Sequence, residues 1–318
     1  MTARAYDLET ACRLACDKLG VVYKAVAANG RFHCADLAND HKGKNDARIK
    51  LFPDRQGGII WNHKSGEQQT FFIDRVQGET LPPAERERLA LEQKQRQKQQ
   101  QADLMYRQNQ AAQRAKLIWQ NASPAPANHP YLTRKHIQAH RLRVGSWQRF
   151  IKNAHGKPET WRIDNALFVP MFDATGKLCS LQAIFSDYCP TLGRDKDFLA
   201  GGGVAGLFWW LGKRTDKVLI AEGFATAASL HEATAYRVYV AFTANNLLAV
   251  GRILREKLPD AELVFCSDND LNTRGNPGLT KASEAAQAVG GLLAVPPVAG
   301  DFNDWAVSLR GGNHEPAA

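Results

Sequence analysis

Five carboxylates in the last third of the chain stand just past short apolar runs. KVLIA (217–221) runs directly into Glu222, and ELVFC (262–266) is followed by the tripeptide Asp268-Asn269-Asp270. GLLAV (291–295) leads into GDFNDW, which carries Asp301 and Asp304. KVLIA and ELVFC read as buried strands, because their apolar residues cluster over strand length and turn signals follow, and GLLAV reads as a further strand. Carboxylates gathered at one edge repel one another unless a cation lies among them. Hard oxygen donors suit Mg²⁺ or Mn²⁺. These residue types therefore point to a divalent-metal site of the kind that handles phosphate.

The elements that must position them follow from periodicity. A fourth strand, RVYVAF (237–242), and helical patterns over 226–234, 247–257 and 279–289 alternate with the acidic runs. Such alternation predicts an α/β unit, a parallel sheet flanked by helices on both faces. Ligands of these sheets sit in the crevice beyond the carboxyl ends of the strands, where Glu222, Asp268 and Asp270 fall. A single Asp-x-Asp is most often a surface loop, and a single Glu after a strand most often serves a helix N-terminus. Their order and their common position at strand ends single this set out.

The pattern resembles the Toprim domain: EG ends one strand, Asp-x-Asp ends a later one, and an acidic motif trails. AEGFATAASLHEAT, VAFTANNLLAVGRILR, CSDND with GNPGLTKASEAA, and GDFNDW resemble in particular the Toprim primases of plasmids and phages. The resemblance implies a DNA primase, a nucleotidyltransferase that makes short oligoribonucleotides on single-stranded DNA in plasmid or phage replication. Implied partners are the template strand and ribonucleoside triphosphates, with a replicative helicase as a candidate. In that reading Asp268 and Asp270 are the main metal ligands. Glu222 is a ligand or the proton acceptor, and Asp301 and Asp304 serve a second ion. Lys196 matches a family lysine that precedes a glycine-rich segment, here Gly201 to Gly203. Many bacterial primases carry an acid four residues after the EG glutamate. Here that place is Thr226, which leaves the ligand count of a second metal open. A Toprim-type nuclease and a non-catalytic DNA-binding replication accessory are the rival functions.

The rest of the chain supports a polyanionic partner. Among 318 residues, lysine and arginine exceed the acids by 41 − 32 = 9, and the pI is near 9.3. Between His129 and Pro158 stand Arg134, Lys135, Arg141, Arg143, Arg149, Lys152 and Lys157 without one acid. That local excess points to phosphate contacts. Arg134, Lys135, Arg141, Arg143, Lys196 and Lys281 are the expected nucleic-acid-binding side chains. No run of eighteen apolar residues and no signal pattern occurs, so no membrane role is expected and a cytoplasmic location is. Six cysteines form no C-x-x-C, and no zinc is expected even though Cys12, Cys16, His33 and Cys34 lie close in sequence.

Five segments follow. Residues 1–82 read as a small α+β module: a helix over 7–19, then antiparallel strands RIKLF, GGIIW and QQTFF. Its lysines and arginine, Lys42, Lys44, Arg48 and Lys50, could accompany base stacking on Trp61, Phe71 and Phe72, although strand aromatics more often pack inward. Residues 83–123, rich in Gln, Lys and Arg, read as a long helical connector with one apolar stripe, Leu104, Ala111, Ala115 and Ile118. Residues 124–212 form a basic α+β subdomain with two strands around the turn DATGK and a basic loop, GRDKDF. Residues 213–310 carry the acidic set, and 311–318 read as a disordered tail.

Overall fold

The computed structural model describes residues 7–39, 45–73, 83–152, 157–271, 273 and 275–311. Lys42 and Lys44, and the expected tail beyond Gly311, lie outside the described residues. The chain divides into two compact units, residues 1–100 and 101–318.

In the first unit, α1 (Leu8–Lys18) starts where the Asp7 carboxylate accepts the Thr10 amide at 2.8 Å, and Gly20 follows its end at φ 63°. Its inward face buries Ala11, Cys12, Ala15 and Cys16, so both thiols are core residues. Four antiparallel strands follow in spatial order β1 (His33–Ala35), β2 (Ala47–Leu51), β3 (Gly57–Asn62) and β4 (Gln68–Phe72). The first was not foreseen, because a three-residue strand carries almost no periodic signal. Phe71 packs inward, Trp61 is half-buried against Phe32, and Phe72 is 64% exposed.

Helix α2 (Pro83–Asn121) has the predicted extent. Ala111 and Ala115 are buried and Ile118 packs beside them, but Leu104 is 44% exposed and takes no part in that stripe.

The second unit holds two sheets. Five antiparallel strands, β5 (Ser123–Pro124), β6 (Arg143–Lys152), β7 (Pro158–Phe172), β8 (Leu178–Cys189) and β9 (Arg194–Phe198), lie side by side in chain order. Helix α3 (Pro130–Lys135) stands between the first two in sequence. The expected loop GRDKDF is thus a strand. Its cause is Asp197, which is buried and accepts the Trp147 indole N–H at 2.8 Å, with Arg149 and Arg194 each 3.1 Å from its oxygens. A buried carboxylate needs such partners, and they tie this stretch to the sheet.

The second sheet runs β10-β12-β11-β13-β14, from β10 (Trp209–Leu211), β11 (Lys217–Ala221), β12 (Arg237–Val240), β13 (Glu262–Cys266) and β14 (Leu292–Ala294). Four strands are parallel, as expected; β10 adds an antiparallel edge that the sequence reading passed over. Helices α4 (Phe224–Thr234), α5 (Leu247–Lys257), α6 (Pro277–Val289) and α7 (Phe302–Gly311) complete the unit. Val218, Ile220, Leu263 and Phe265 face α5 and α6, while Leu219, Ala221, Val240 and Cys266 face α4. The same α4 side continues into Leu167, Val169, Met171 and Ile184 of β7 and β8, so the two sheets share one core. The opposite face of the antiparallel sheet, with Phe168 and Phe185, is covered by Ala111 and Ala115 of α2. Burial of apolar surface at about 25 cal/mol per Å² is what holds these layers together.

Candidate active site

Strand β11 is the pivot. Its chain continues through α4 to β12 on one side, and the sheet then resumes with β13 on the other. That reversal opens a crevice at the carboxyl ends of the two strands. Register pairs Ala221 with Cys266, so Glu222 and the Ser267-Asp268 step leave the sheet side by side.

Glu222, Asp268, Asp270 and Asp301 interact here electrostatically. Burial first, then the Asp270 charge, pushes Glu222 up to about 7; Lys196 and the Ala244 N–H oppose the rise. Burial first, then Glu222, Asp301 and Asp270, pushes Asp268 up to about 8, again against Lys196. Both shifts have the cause expected of carboxylates crowded in a partly dry cleft. Each residue keeps part of its surface in water, yet the Asp268 Oδ1 atom is fully buried and has no hydrogen-bond partner. A buried, unsatisfied carboxylate oxygen costs free energy unless something ligates it.

The Asp-x-Asp loop is held by its middle residue. Asn269 exchanges backbone hydrogen bonds with Gly300 at 2.8 and 3.0 Å and donates its side-chain amide to the Pro296 and Val298 carbonyls. Asn276, in the left-handed region at φ 40°, donates to the Asn269 side chain at 2.9 Å and accepts the Asp270 amide at 2.9 Å. Gly278 in the first turn of α6 lies close under this loop. A Cβ there would lie 3.0 Å from the Asp268 carbonyl and 3.2 Å from Asp270 Oδ2.

A second support lies past β12. Phe242 has φ 69°, rare for a bulky residue, and its ring meets Phe198 edge-on. The turn Ala244–Asn246 then presents the Ala244 amide to Glu222. Asn246, buried, fixes this turn: it accepts the Gly206 amide at 2.7 Å and donates to the Leu207 and Ala241 carbonyls, both at 2.8 Å. Asn246, Asn269, Asn276 and Gly278 were missed as site residues. Only the Asn276-Pro277 pair, a helix-start signal, marked any of them in the sequence.

Asp304 is placed differently from the other four acids. Asp301 accepts the Asn303 and Asp304 amides at 2.7 and 2.9 Å, and Asp304 accepts the Asp301 amide at 3.2 Å while pairing with Lys135 at 3.2 Å. This reciprocal pair caps α7. Thr226 is buried inside α4. The basic side chains are engaged within the fold as well. Arg134 donates to the Ser186 carbonyl and pairs with Asp187. Arg141 donates to Trp210 and stacks on Trp209; Arg143 donates to Trp119 and stacks on its ring. Lys281 pairs with Glu284 at 2.8 Å. Half-buried Lys196, on β9, is a cation whose charge acts on Glu222 and Asp268.

A family model described as the Toprim domain matches residues 217–311. Those residues are a Toprim domain. Over 278 residues, 84% of the chain, the protein is 30% identical to DNA primase TraC of Escherichia coli, and over 277 residues it is 29% identical to a second Escherichia coli DNA primase TraC. The chain spans only 24% and 18% of the lengths of these relatives. Among solved structures, a DnaG primase catalytic domain bound to ssDNA superposes with a TM-score of 0.46 at 11% identity, covering 65% of this chain and 77% of that one. The RNA polymerase domain of Mycobacterium tuberculosis primase DnaG gives 0.42 at 16% identity, over 66% of this chain and 82% of that one. No helix among the described residues is long and apolar enough to cross a membrane.

The Toprim acids suit a divalent cation. Among the described residues no three acidic, imidazole or thiol side chains stand as a closed ligand set. The crowded carboxylates and the orphaned Asp268 oxygen nonetheless supply hard donors that a cation would satisfy.

Proposed function

We propose that the chain is a DNA-dependent RNA primase, joining ribonucleotides on a single-stranded DNA template in plasmid or phage replication. The observation that carries this reading is the convergence of Glu222, Asp268, Asp270 and Asp301 at the Toprim crevice, with the Lys196 charge acting on Glu222 and Asp268. The relation to the TraC primases supports the choice of primer synthesis over other Toprim chemistry.

Asp268 and Asp270 would hold Mg²⁺ or Mn²⁺, with Glu222 and Asp301 beside them. When bound, the cation lowers the charge barrier between a triphosphate and an attacking hydroxyl. Glu222, held near neutrality, can accept the proton of the 3′-hydroxyl at its carboxylate oxygen. The Ala244 amide and Asn246 keep that carboxylate in place, and Lys196 offers a positive charge to the nucleotide phosphates. Asp304 braces α7 against Lys135 rather than facing the reacting atoms.

The test combines single-stranded DNA, four ribonucleotides and Mg²⁺, with labelled product on a gel. Oligoribonucleotides made by the wild type and lost in Asp268→Ala support the reading. Shortened DNA without synthesis replaces it with the nuclease. DNA binding with neither product, unchanged in Asp268→Ala, replaces it with the non-catalytic accessory.

A further inference from the structure

Helix α2 carries two faces. The stripe through Ala111 and Ala115 packs on the antiparallel sheet. A second stripe, Asn109, Gln113, Lys116 and Trp119, recurs at three- and four-residue spacing and lines a cavity of about 720 Å³. Lys177, in the β7–β8 turn, closes the other side. A smaller cavity of about 190 Å³ continues from it, sharing Asn109 and Lys177, adding Gln108, and ending at the 203–207 segment.

The chemistry of this groove is one-sided. No carboxylate lines either cavity. From Leu104 to Asn121 the helix has no acid, whereas Arg107, Arg114 and Lys116 are present. Asp173, next to the turn, spends one oxygen on the Thr175 and Lys177 amides at 2.9 and 3.1 Å. What remains is a row of carboxamides, two exposed ammonium groups and an indole. Ammonium groups neutralise phosphates and carboxamides meet base edges in either donor sense; the Trp119 ring already carries Arg143 and adds apolar contact at the wall.

The groove also leads somewhere. Its far end meets Leu207, whose carbonyl Asn246 grips while accepting the neighbouring Gly206 amide. The turn that ends in Asn246 presents the Ala244 amide to Glu222. One short run of hydrogen bonds therefore separates the end of the groove from the acidic crevice.

We propose that the groove between α2 and the β7–β8 turn binds a single-stranded polynucleotide and directs it to the acidic crevice. The direction of the strand rests on the primase reading; binding in the groove does not. The side chains expected from the sequence to hold nucleic acid, Arg141 and Arg143, are committed to Trp209, Trp210 and Trp119, whereas Lys116 and Lys177 are exposed.

The test is fluorescence anisotropy of the whole chain with a labelled oligo-dT and a labelled oligo-rU, across a series of NaCl concentrations. Lys116→Ala with Lys177→Ala is expected to weaken binding about 10-fold and to reduce the slope of log K against log salt by about 1.4. Lys116→Arg with Lys177→Arg is expected to retain the wild-type slope, and a thermal melt verifies that both variants are folded. Loss with oligo-dT alone assigns the groove to the template, loss with oligo-rU alone assigns it to the product, and loss with both assigns it to either strand. A folded alanine variant with wild-type affinity and slope for both probes overturns the proposal. Asp268→Asn, assayed alongside for synthesis alone, tests the primase reading, so its failure and failure of the groove are separate results.

Discussion

Replacing Asp268 by Asn should make the metal-free protein more stable as it makes it inactive. The carboxyl of Asp268 is pushed up to about 8 from an ordinary value of 3.8, and Glu222 to about 7 from 4.5. A group whose folded pKa is raised in this way favours the protonated state in the fold. Ionising it weakens the fold progressively as pH rises from the unfolded value through the folded one. For Asp268 alone, linkage from 3.8 to 8 amounts to about 5 kcal/mol at pH 8 and about 2 kcal/mol at pH 5. Two corrections shrink this. The side chain keeps part of its surface in water, which screens the repulsion, and coupling to Glu222 shares the penalty between two groups. An Asn amide at the orphaned oxygen's position would also lack a partner, at about 1 kcal/mol. A net gain of about 1–2 kcal/mol at pH 8 remains, or several degrees in Tm at about 2–4 °C per kcal/mol. At pH 5 the gain should vanish or change sign. Thermal unfolding in EDTA at pH 5, 6.5 and 8 measures it. Mg²⁺ should then raise the wild-type Tm at pH 8 and leave that of Asp268→Asn unmoved. Equal melting of wild type and variant at pH 8, or a difference that ignores pH, would refute the electrostatic account of the crevice.

Asn246→Ala deletes three side-chain hydrogen bonds in a buried turn, so a loss of about 2–4 kcal/mol in urea unfolding is expected, together with a fall in kcat from the displaced Ala244 amide. Lys196→Ala removes a charge that holds Glu222 and Asp268 down, so the acid limb of the pH–rate profile should move to higher pH, whereas Lys196→Arg should keep it near the wild-type position. An unmoved limb in the alanine variant would show that Lys196 does not act on the carboxylates. Gly278→Ala should weaken Mg²⁺ activation rather than the fold. Alanine gains about 1 kcal/mol in helix propensity, but its methyl meets the Asp268 carbonyl at 3.0 Å and must push the Asp-x-Asp loop aside. A titration of activity against Mg²⁺ checks this through the half-saturating concentration.

Strands of four or five apolar residues followed by acids were readable because burial on both faces erases alternation and leaves a run. The ends of β11 and β13, and with them Glu222 and Asp268, followed directly. What escaped notice was whatever depends on contacts distant in sequence. Strand β9 looked like a loop because Arg194, Asp197 and a lysine dominate it. Only the ion pairs of the buried Asp197 with Arg149 and Arg194, and its bond to the Trp147 indole, make a strand of it. Strand β10 is three residues of Trp and Leu, too short to show a period. Arg141 and Arg143, expected as phosphate ligands, hold backbone carbonyls and tryptophan rings within the fold. A basic count does not record where a guanidinium finds its acceptor. Asn269 read as a spacer between two acids, although it ties the loop to Gly300, Pro296 and Val298.

The interior that joins Leu167, Val169 and Met171 of β7 to Leu219, Ala221 and Phe224 of the Toprim region is continuous. A damaged residue on the antiparallel sheet would therefore loosen the seat of Glu222. Conversely, an excised Toprim fragment would arrive with a raw hydrophobic flank where its neighbour used to be. The two sheets have to be inherited, engineered and purified as a single piece.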